Sequence, residues 1–323
     1  MAARFVAFCC LLAMALLAPR PALAWPERPV TIIVASGAGN GGDLIARMLV
    51  PHLTQAWGQP VVVQNLPGAG GAIGVERVAR SAPDGHTLVM SGDAAIVVRP
   101  SMQPPLSYDP RRDLAAVTLV ARMPNLLVVR AADGPATLAA ALAAARAARG
   151  GFSYGHLGPG TSIQIGAEEL KQRAGLDMTG VGYPTMGAIL QDVIAGRLQL
   201  TFVNAFAAGP MVREGTLRAV AVSSATRLPA FGTVPTVAEQ GFPGFDFGAW
   251  FGLLAAGHTP PPLVARIRAD VHAALGDPAL RTRLDGMAAI LVDDTPEAFA
   301  GFIATEIPRM ADVLRRAGVV TAP

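Results

Sequence analysis

The chain has 323 residues, 52% of them hydrophobic and 15% charged, with a formal net charge of +3. That length holds one large domain or two of ordinary size. Lys171 is the only lysine, no basic cluster exists, and three tryptophans with three tyrosines make a poor stacking surface, so a nucleic-acid partner is excluded.

Residues 1–24 read as a secretory signal peptide. Arg4 supplies a positive start, residues 6–17 are apolar, and Pro21-Ala22-Leu23-Ala24 ends in a small-x-small pattern, which places cleavage before Trp25. Cys9 and Cys10 leave with it, so the mature chain of 299 residues holds no disulfide, thiol nucleophile or thiolate metal site. Its net charge falls to +1, because the segment carries two arginines and no acid. No later apolar stretch approaches the roughly 20 residues a membrane helix needs.

Residues 30–35, VTIIVA, form a β-branched run that predicts a buried strand. A glycine-rich turn follows, Ser36-Gly37-Ala38-Gly39-Asn40-Gly41-Gly42, and Asp43 opens an amphipathic run through Leu44, Ile45, Met48 and Leu49. Strand, glycine turn and helix start together direct backbone N–H groups and a positive helix end at one spot, which suits an anion. The turn also matches G-x-G-x-x-G, yet the acid that a dinucleotide's ribose needs is missing: the next strand ends in Gln64-Asn65. A purely structural turn is the plain alternative.

A second strand is expected at 60–63, then a second glycine turn, NLPGAGGAIG, leading into a helix at 75–80. A third strand, 86–90, precedes a polar turn of Ser91, Gly92 and Asp93. Three βα units in about 70 residues predict a parallel sheet flanked by helices. Strand candidates at 116–120 and 126–130 surround Met123-Pro124-Asn125, read as the crossing into a second domain. There the pattern restarts with a helix at 138–149, a strand at 152–154, a turn at 156–161 and a helix at 163–173. A strand near 179–182, a turn from Pro184 to Gly187, a helix to 195, and strands at 198–203 and 217–222 follow. WFGLLA at 250–255 is a strand crossing back, and helices at 262–275, 278–284 and 296–317 close the chain. Two α/β lobes joined by two crossings leave a cleft, the usual place for a ligand.

The enzyme signatures are weak. Gly151-Phe152-Ser153-Tyr154-Gly155 matches G-x-S-x-G, but no helix follows directly, so Ser153 falls within a strand rather than on a nucleophile elbow. His52, His86, His156, His258 and His272 are scattered without metal-ligand spacing. Gly158-Pro159-Gly160-Thr161-Ser162 repeats the logic of the first turn, and its hydroxyls suit either a helix cap or a ligand contact. Asp43 and Asp93 suit a cap, or a bound water or amine.

In order, the landmarks WPERPVTIIV, GGDLIAR, GQPVVVQNLPGAGGAIG, APDGHTLVM, SYDPRRDLAAV, GPGTS, TVPTVAEQGFPGF and WFGLLAAGHTPP run across almost the whole mature chain. Each is weak, but eight in order behind a signal peptide are specific. The chain resembles the periplasmic solute-binding receptors of tripartite tricarboxylate transporters, the Bug family. The resemblance implies a two-lobed α/β Venus-flytrap fold of the type II periplasmic-binding-protein class, non-enzymatic and without cofactor, that captures a small organic carboxylate for membrane transporter subunits. It implies a monomer, with lobe 1 from residues 25–124 plus 250–323 and lobe 2 from 125–249.

Carried over by position, the ligand-binding residues are Ser36, Gly37, Gly39, Asn40, Gly41 and Asp43 on the first turn, and Ser91, Gly92 and Asp93 after the third strand. The facing lobe supplies Thr161, Ser162, Thr185, Gly187 and Asn204. The chain departs from the family where the first turn lacks proline, where Gln164 replaces a common histidine, and where Tyr183-Pro184-Thr185 lacks a lysine. Asp93 also stands where small neutral residues are usual. Losing a cation and gaining an acid points to a monocarboxylate, or a zwitterion whose amine meets Asp93. A ligand-sensing role beside a signalling partner, and an exported hydrolase using Ser153, are the alternatives.

Overall fold

A computed structural model describes residues 25–148, 151–158 and 160–316. The proposed signal segment, Arg149, Pro159 and residue 317 lie outside them. The chain starts as its apolar runs dictate. Strand β1 (Val30–Val34) is followed by helix α1 (Gly41–Trp57), β2 (Val61–Asn65), α2 (Ala72–Ala79) and β3 (Thr87–Gly92). β1 pairs in parallel with β2 on one side and β3 on the other, as the recurring βα units require.

The expected turn at Ser91-Gly92-Asp93 is instead the end of β3. Ser91 and Gly92 pair with Gly252 and Phe251, and Asp93 opens a helical segment, Ala94–Val98. The strand extends because a late antiparallel neighbour, β9 (Gly248–Ala256), runs alongside it. A Cβ on Gly92 would stand 2.5 Å from the Trp250 carbonyl oxygen, so only glycine admits that neighbour so closely.

The two short strands expected around Pro124 are one strand, β4 (Leu114–Arg130), buried along most of its length. Its first part, to Pro124, pairs with β9; from Asn125 it pairs with β7 (Thr201–Asn204) and β8 (Leu217–Val222). Proline is tolerated mid-strand because it sits where one set of partners ends and the next begins. Ser223 ties this junction together. Its Oγ accepts from the Asn125 N–H at 2.8 Å and donates to the Phe247 carbonyl, while its N–H donates to the Asn125 carbonyl at 2.9 Å.

Beyond the junction lie α3 (Leu138–Ala147), β5 (Ser153–His156), α4 (Ser162–Ala174), β6 (Thr179–Gly182), α5 (Met186–Ile194) and α6 (Ala205–Arg213). β5 and β6 pair in parallel. After β9 the chain adds α7 (Pro261–Leu275), α8 (Pro278–Gly286), the short β10 (Ile290–Leu291) against β4, and α9 (Pro296–Arg316). The main sheet therefore runs β10-β4-β9-β3-β1-β2. One core lies between its first face and α1, α7 and α8; another lies where α2, α4 and α9 pack on the opposite face. Among the described residues no helix is long and apolar enough to cross a membrane.

Candidate functional site

The two glycine turns and the end of β3 converge on a cavity of about 310 Å³. Ser36 and Asn40 line it from the first turn, Gly68, Gly70 and Gly71 from the second, and Ser91, Gly92 and Asp93 from β3. Ala249 and Phe251 of β9 close it.

The first turn is braced from behind. Asn40 caps α1, its Oδ1 accepting from the Gly42 N–H at 3.1 Å. Asp43, buried, accepts from the Gly39 N–H at 2.9 Å through Oδ2, and from Arg47 Nε and Asn65 Nδ2 at 2.9 Å each through Oδ1. The same Asn65 Nδ2 donates to the Ser36 carbonyl at 3.2 Å. Burial by itself would raise the Asp43 pKa, but the hydrogen bonds from Arg47, Gly39 and Asn65 hold it below the ordinary aspartate value. Asp43 is thus an ionised brace whose oxygens are turned into the protein. Gly41 also serves packing: a Cβ there would lie 2.7 Å from Met123 Sδ and from the Phe251 ring.

The second turn, noted in the sequence but not assigned to the site, is the wall that sequence reasoning missed. Gly71 has φ +94°, and a Cβ on it would stand 2.7 Å from the Ala35 carbonyl oxygen. Gly74, one turn on, would carry its Cβ 2.9 Å from the Leu66 carbonyl. α2 therefore rests on the end of β1 with backbone against backbone. Gly71→Ala imposes both a left-handed alanine and a backbone clash. The expected result is a 100-fold or greater loss of affinity at this cavity with the far-ultraviolet spectrum retained; calorimetric titration checks it.

Ser91 is the clearest sign of an incomplete site. It is 3% exposed, its Oγ has no hydrogen-bond partner among the described residues, and it lines the cavity. Buried hydroxyls are seldom left unpaired in folded proteins.

A second, larger cavity of about 580 Å³ adjoins the first, with Asp93 and Ala249 in the walls of both. It lies among β4, the start of α4, the segment leading into β9, β10 and α9, and includes Ser162. Asp93 is pushed up to about 7, first by burial and further by the charge of Glu306 on α9; N–H groups of its own and of Ala94 oppose the shift.

Of the residues expected at the site, Ser36, Asn40, Ser91, Gly92 and Asp93 come together, and Ser162 faces the adjoining space. Gly37, Gly39, Gly41, Asp43, Thr161, Thr185, Gly187 and Asn204 line neither cavity. Thr161 begins α4 with its hydroxyl donated to the Gly158 carbonyl at 2.9 Å. Thr185 caps α5 by accepting from the Ala188 N–H at 3.2 Å, and Gly187 is exposed behind it. Asn204 stands opposite Asn125 at the head of α6.

Ser153 lies in β5 with its hydroxyl donated to Gln199 Oε1 at 3.0 Å, an ordinary strand serine. Among the described residues no three His, Cys, Asp or Glu side chains form a group able to hold a metal ion.

Residues 45–319 match the model of the tripartite tricarboxylate transporter family receptor. The chain is 34% identical over 302 residues to Protein BugT of Bordetella pertussis, covering 93% of each chain. A solved structure from R. palustris with adipate superposes with a TM-score of 0.80 at 30% identity, covering 91% of this chain and 98% of that one. MatC from Rhodopseudomonas palustris with bound malate gives 0.76 at 33% identity, covering 90% of this chain and all of that one.

Proposed function

Since the chain belongs to the tripartite tricarboxylate transporter receptor family, we propose that it captures a small organic carboxylate between two lobes and presents it to membrane transporter subunits. The observation that carries the reading is the buried, unpartnered Ser91 hydroxyl facing a cavity walled by the two glycine turns that lead into α1 and α2. A carboxylate there would receive that O–H and the positive end of a 17-residue helix, whose capping turn keeps its Gly39 and Gly42 N–H groups for Asp43 and Asn40. The brace of Asp43 and Asn65 fixes the shape of this turn before ligand arrives, which lowers the ordering cost of binding.

The lobes of this reading are residues 25–124 with 250 onward, and residues 125–249, hinged at the Ser223 junction. Ser162 already faces the adjoining space, whereas Thr161, Thr185, Gly187 and Asn204 would approach the ligand only when the lobes close, so ligand stabilises the closed form. The receptor works in the periplasm, as a monomer, after cleavage before Trp25.

Thermal unfolding tests the reading. The signal-free protein, unfolded and refolded to strip any retained ligand, is heated with butanoate, adipate, malate, NAD or no addition. A binding carboxylate at 100 times its Kd is expected to add about 2.7 kcal/mol of stability. A shift with NAD alone, or with no carboxylate, overturns the proposal.

A further inference from the structure

We propose that the larger cavity receives the rest of the ligand, and that this receptor selects an elongated monocarboxylate with an uncharged, apolar tail. The inference rests on the glycine-turn cavity as the carboxylate end. Asp93 and Ala249 wall both spaces, so a molecule held at the turns by its carboxylate has the 580 Å³ cavity directly beside it. A two- to four-carbon acid would leave that space unused, whereas ligand sites of this size usually bury most of their ligand.

The lining decides the chemistry of the tail. Trp250, Phe247 and Phe302 form an aromatic wall, with the Trp250 and Phe302 rings 5.5 Å apart and nearly perpendicular. The two cations present are already engaged. Arg122 pairs with Asp246 at 3.0 Å and lies 4.9 Å over the Phe302 ring. Arg309 makes a two-pronged pair with Glu306 at 2.6 and 2.7 Å and lies 4.9 Å over Phe247. Once these pairs are counted, Asp93 is the acid left over, facing Glu306 across the cavity. Above pH 7, where Asp93 is ionised, a second carboxylate on the ligand would find no free cation among the described lining residues and a surplus of negative charge, and would lose its hydration on entering. An ammonium tail would lose its hydration too: the Phe302 and Phe247 faces carry Arg122 and Arg309 already, and the leftover acid, Asp93, lies where the two cavities meet, beside the ligand's carboxylate and away from its tail. An aryl or alkyl tail has neither cost and gains the apolar wall.

The test is calorimetric titration of the refolded protein at pH 8, where Asp93 is ionised, with 5-phenylpentanoate, butanoate, adipate and 6-aminohexanoate. The expected order has 5-phenylpentanoate at least 10-fold tighter than each of the others. Asp93→Asn, which removes the leftover acid, is expected to narrow the gap between 5-phenylpentanoate and adipate at least 5-fold. Ala225→Trp places a large ring from an exposed position into the larger cavity. It is expected to weaken 5-phenylpentanoate 10-fold or more and leave butanoate within 2-fold. Adipate, butanoate or 6-aminohexanoate binding as tightly as 5-phenylpentanoate overturns this inference while leaving the carboxylate receptor intact. An Ala225→Trp protein that weakens both monocarboxylates equally, or neither, also overturns it. If none of the four binds, the reading of the glycine turns fails as well.

Discussion

Phe299→Ala is expected to lower the stability of the protein by about 3–5 kcal/mol, the range for emptying a fully buried phenylalanine site. The ring is inaccessible to solvent and packs edge-on against Trp250, with centroids 5.7 Å apart at 88°. It also sits in a notch that sequence alone creates. A Cβ on Gly252 would stand 2.2 Å from Phe299 Cζ, so β9 must carry glycine opposite the ring. The contact fastens α9 to the sheet and, through Trp250, sets one wall of the larger cavity. Since folded domains are stable by only about 5–15 kcal/mol, the urea midpoint is expected to fall steeply. Phe299→Leu fills part of the notch and is expected to cost roughly half as much. A loss below about 1 kcal/mol for the alanine variant would mean that α9 is not seated through this ring.

The second large effect is one of pH. Asp93 titrates at about 7 in the folded chain against an ordinary aspartate value of 3.8. Between those values the folded protein holds a proton that the unfolded chain has released. Stability therefore falls as pH rises from about 4 to about 7, and is level above that. At about 1.4 kcal/mol per pKa unit the whole loss is at most about 4 kcal/mol. Below about pH 4 other carboxylates act in the opposite sense. Asp43, Asp84 and Asp277 are held below their ordinary values by hydrogen bonds and neighbouring charge, which outweigh burial, and stability that depends on their ionised forms is lost on acidification. Urea unfolding from pH 5 to 8 is expected to show the wild type weakening with rising pH, and Asp93→Asn removing that part of the slope. Parallel profiles for the two proteins would show that Asp93 is not the group responsible.

Much of this molecule is legible in its sequence because the signals are local. The β1–turn–α1 unit is written in one uninterrupted run, β8 falls at the residues its apolar pattern marks, and β6 falls at 179–182 as expected. Strand ends are less legible where a distant partner sets them. Ser91 and Gly92 read as a turn by composition, but β9, arriving from the far end of the chain, extends β3 through them. Pro124 reads as a break between strands, yet β4 continues because it exchanges partners there. The site divides in the same way. Ser36 and Asn40 sit on a turn that announces donors, and Ser91 ends the strand beside it, whereas Arg122, Asp246 and Glu306 belong to three separate segments, each unremarkable alone. An arginine inside the apolar run of β4 was the one available hint. Asp43 shows the limit of motif reading: the right residue in the right turn, with its oxygens facing inward.

The position of β9 also governs the order in which the chain can fold. β3 has β1 beside it early, but its other edge stays open until Val89 meets Leu254, and β4 waits for the same strand. The central strand of the main sheet is thus supplied near the end of synthesis. A chain emerging from its N-terminus has three parallel strands with no middle partner, and closing so long a loop is entropically expensive and slow. Release of the last quarter of the chain, not of its N-terminal strands alone, is what lets the main sheet close.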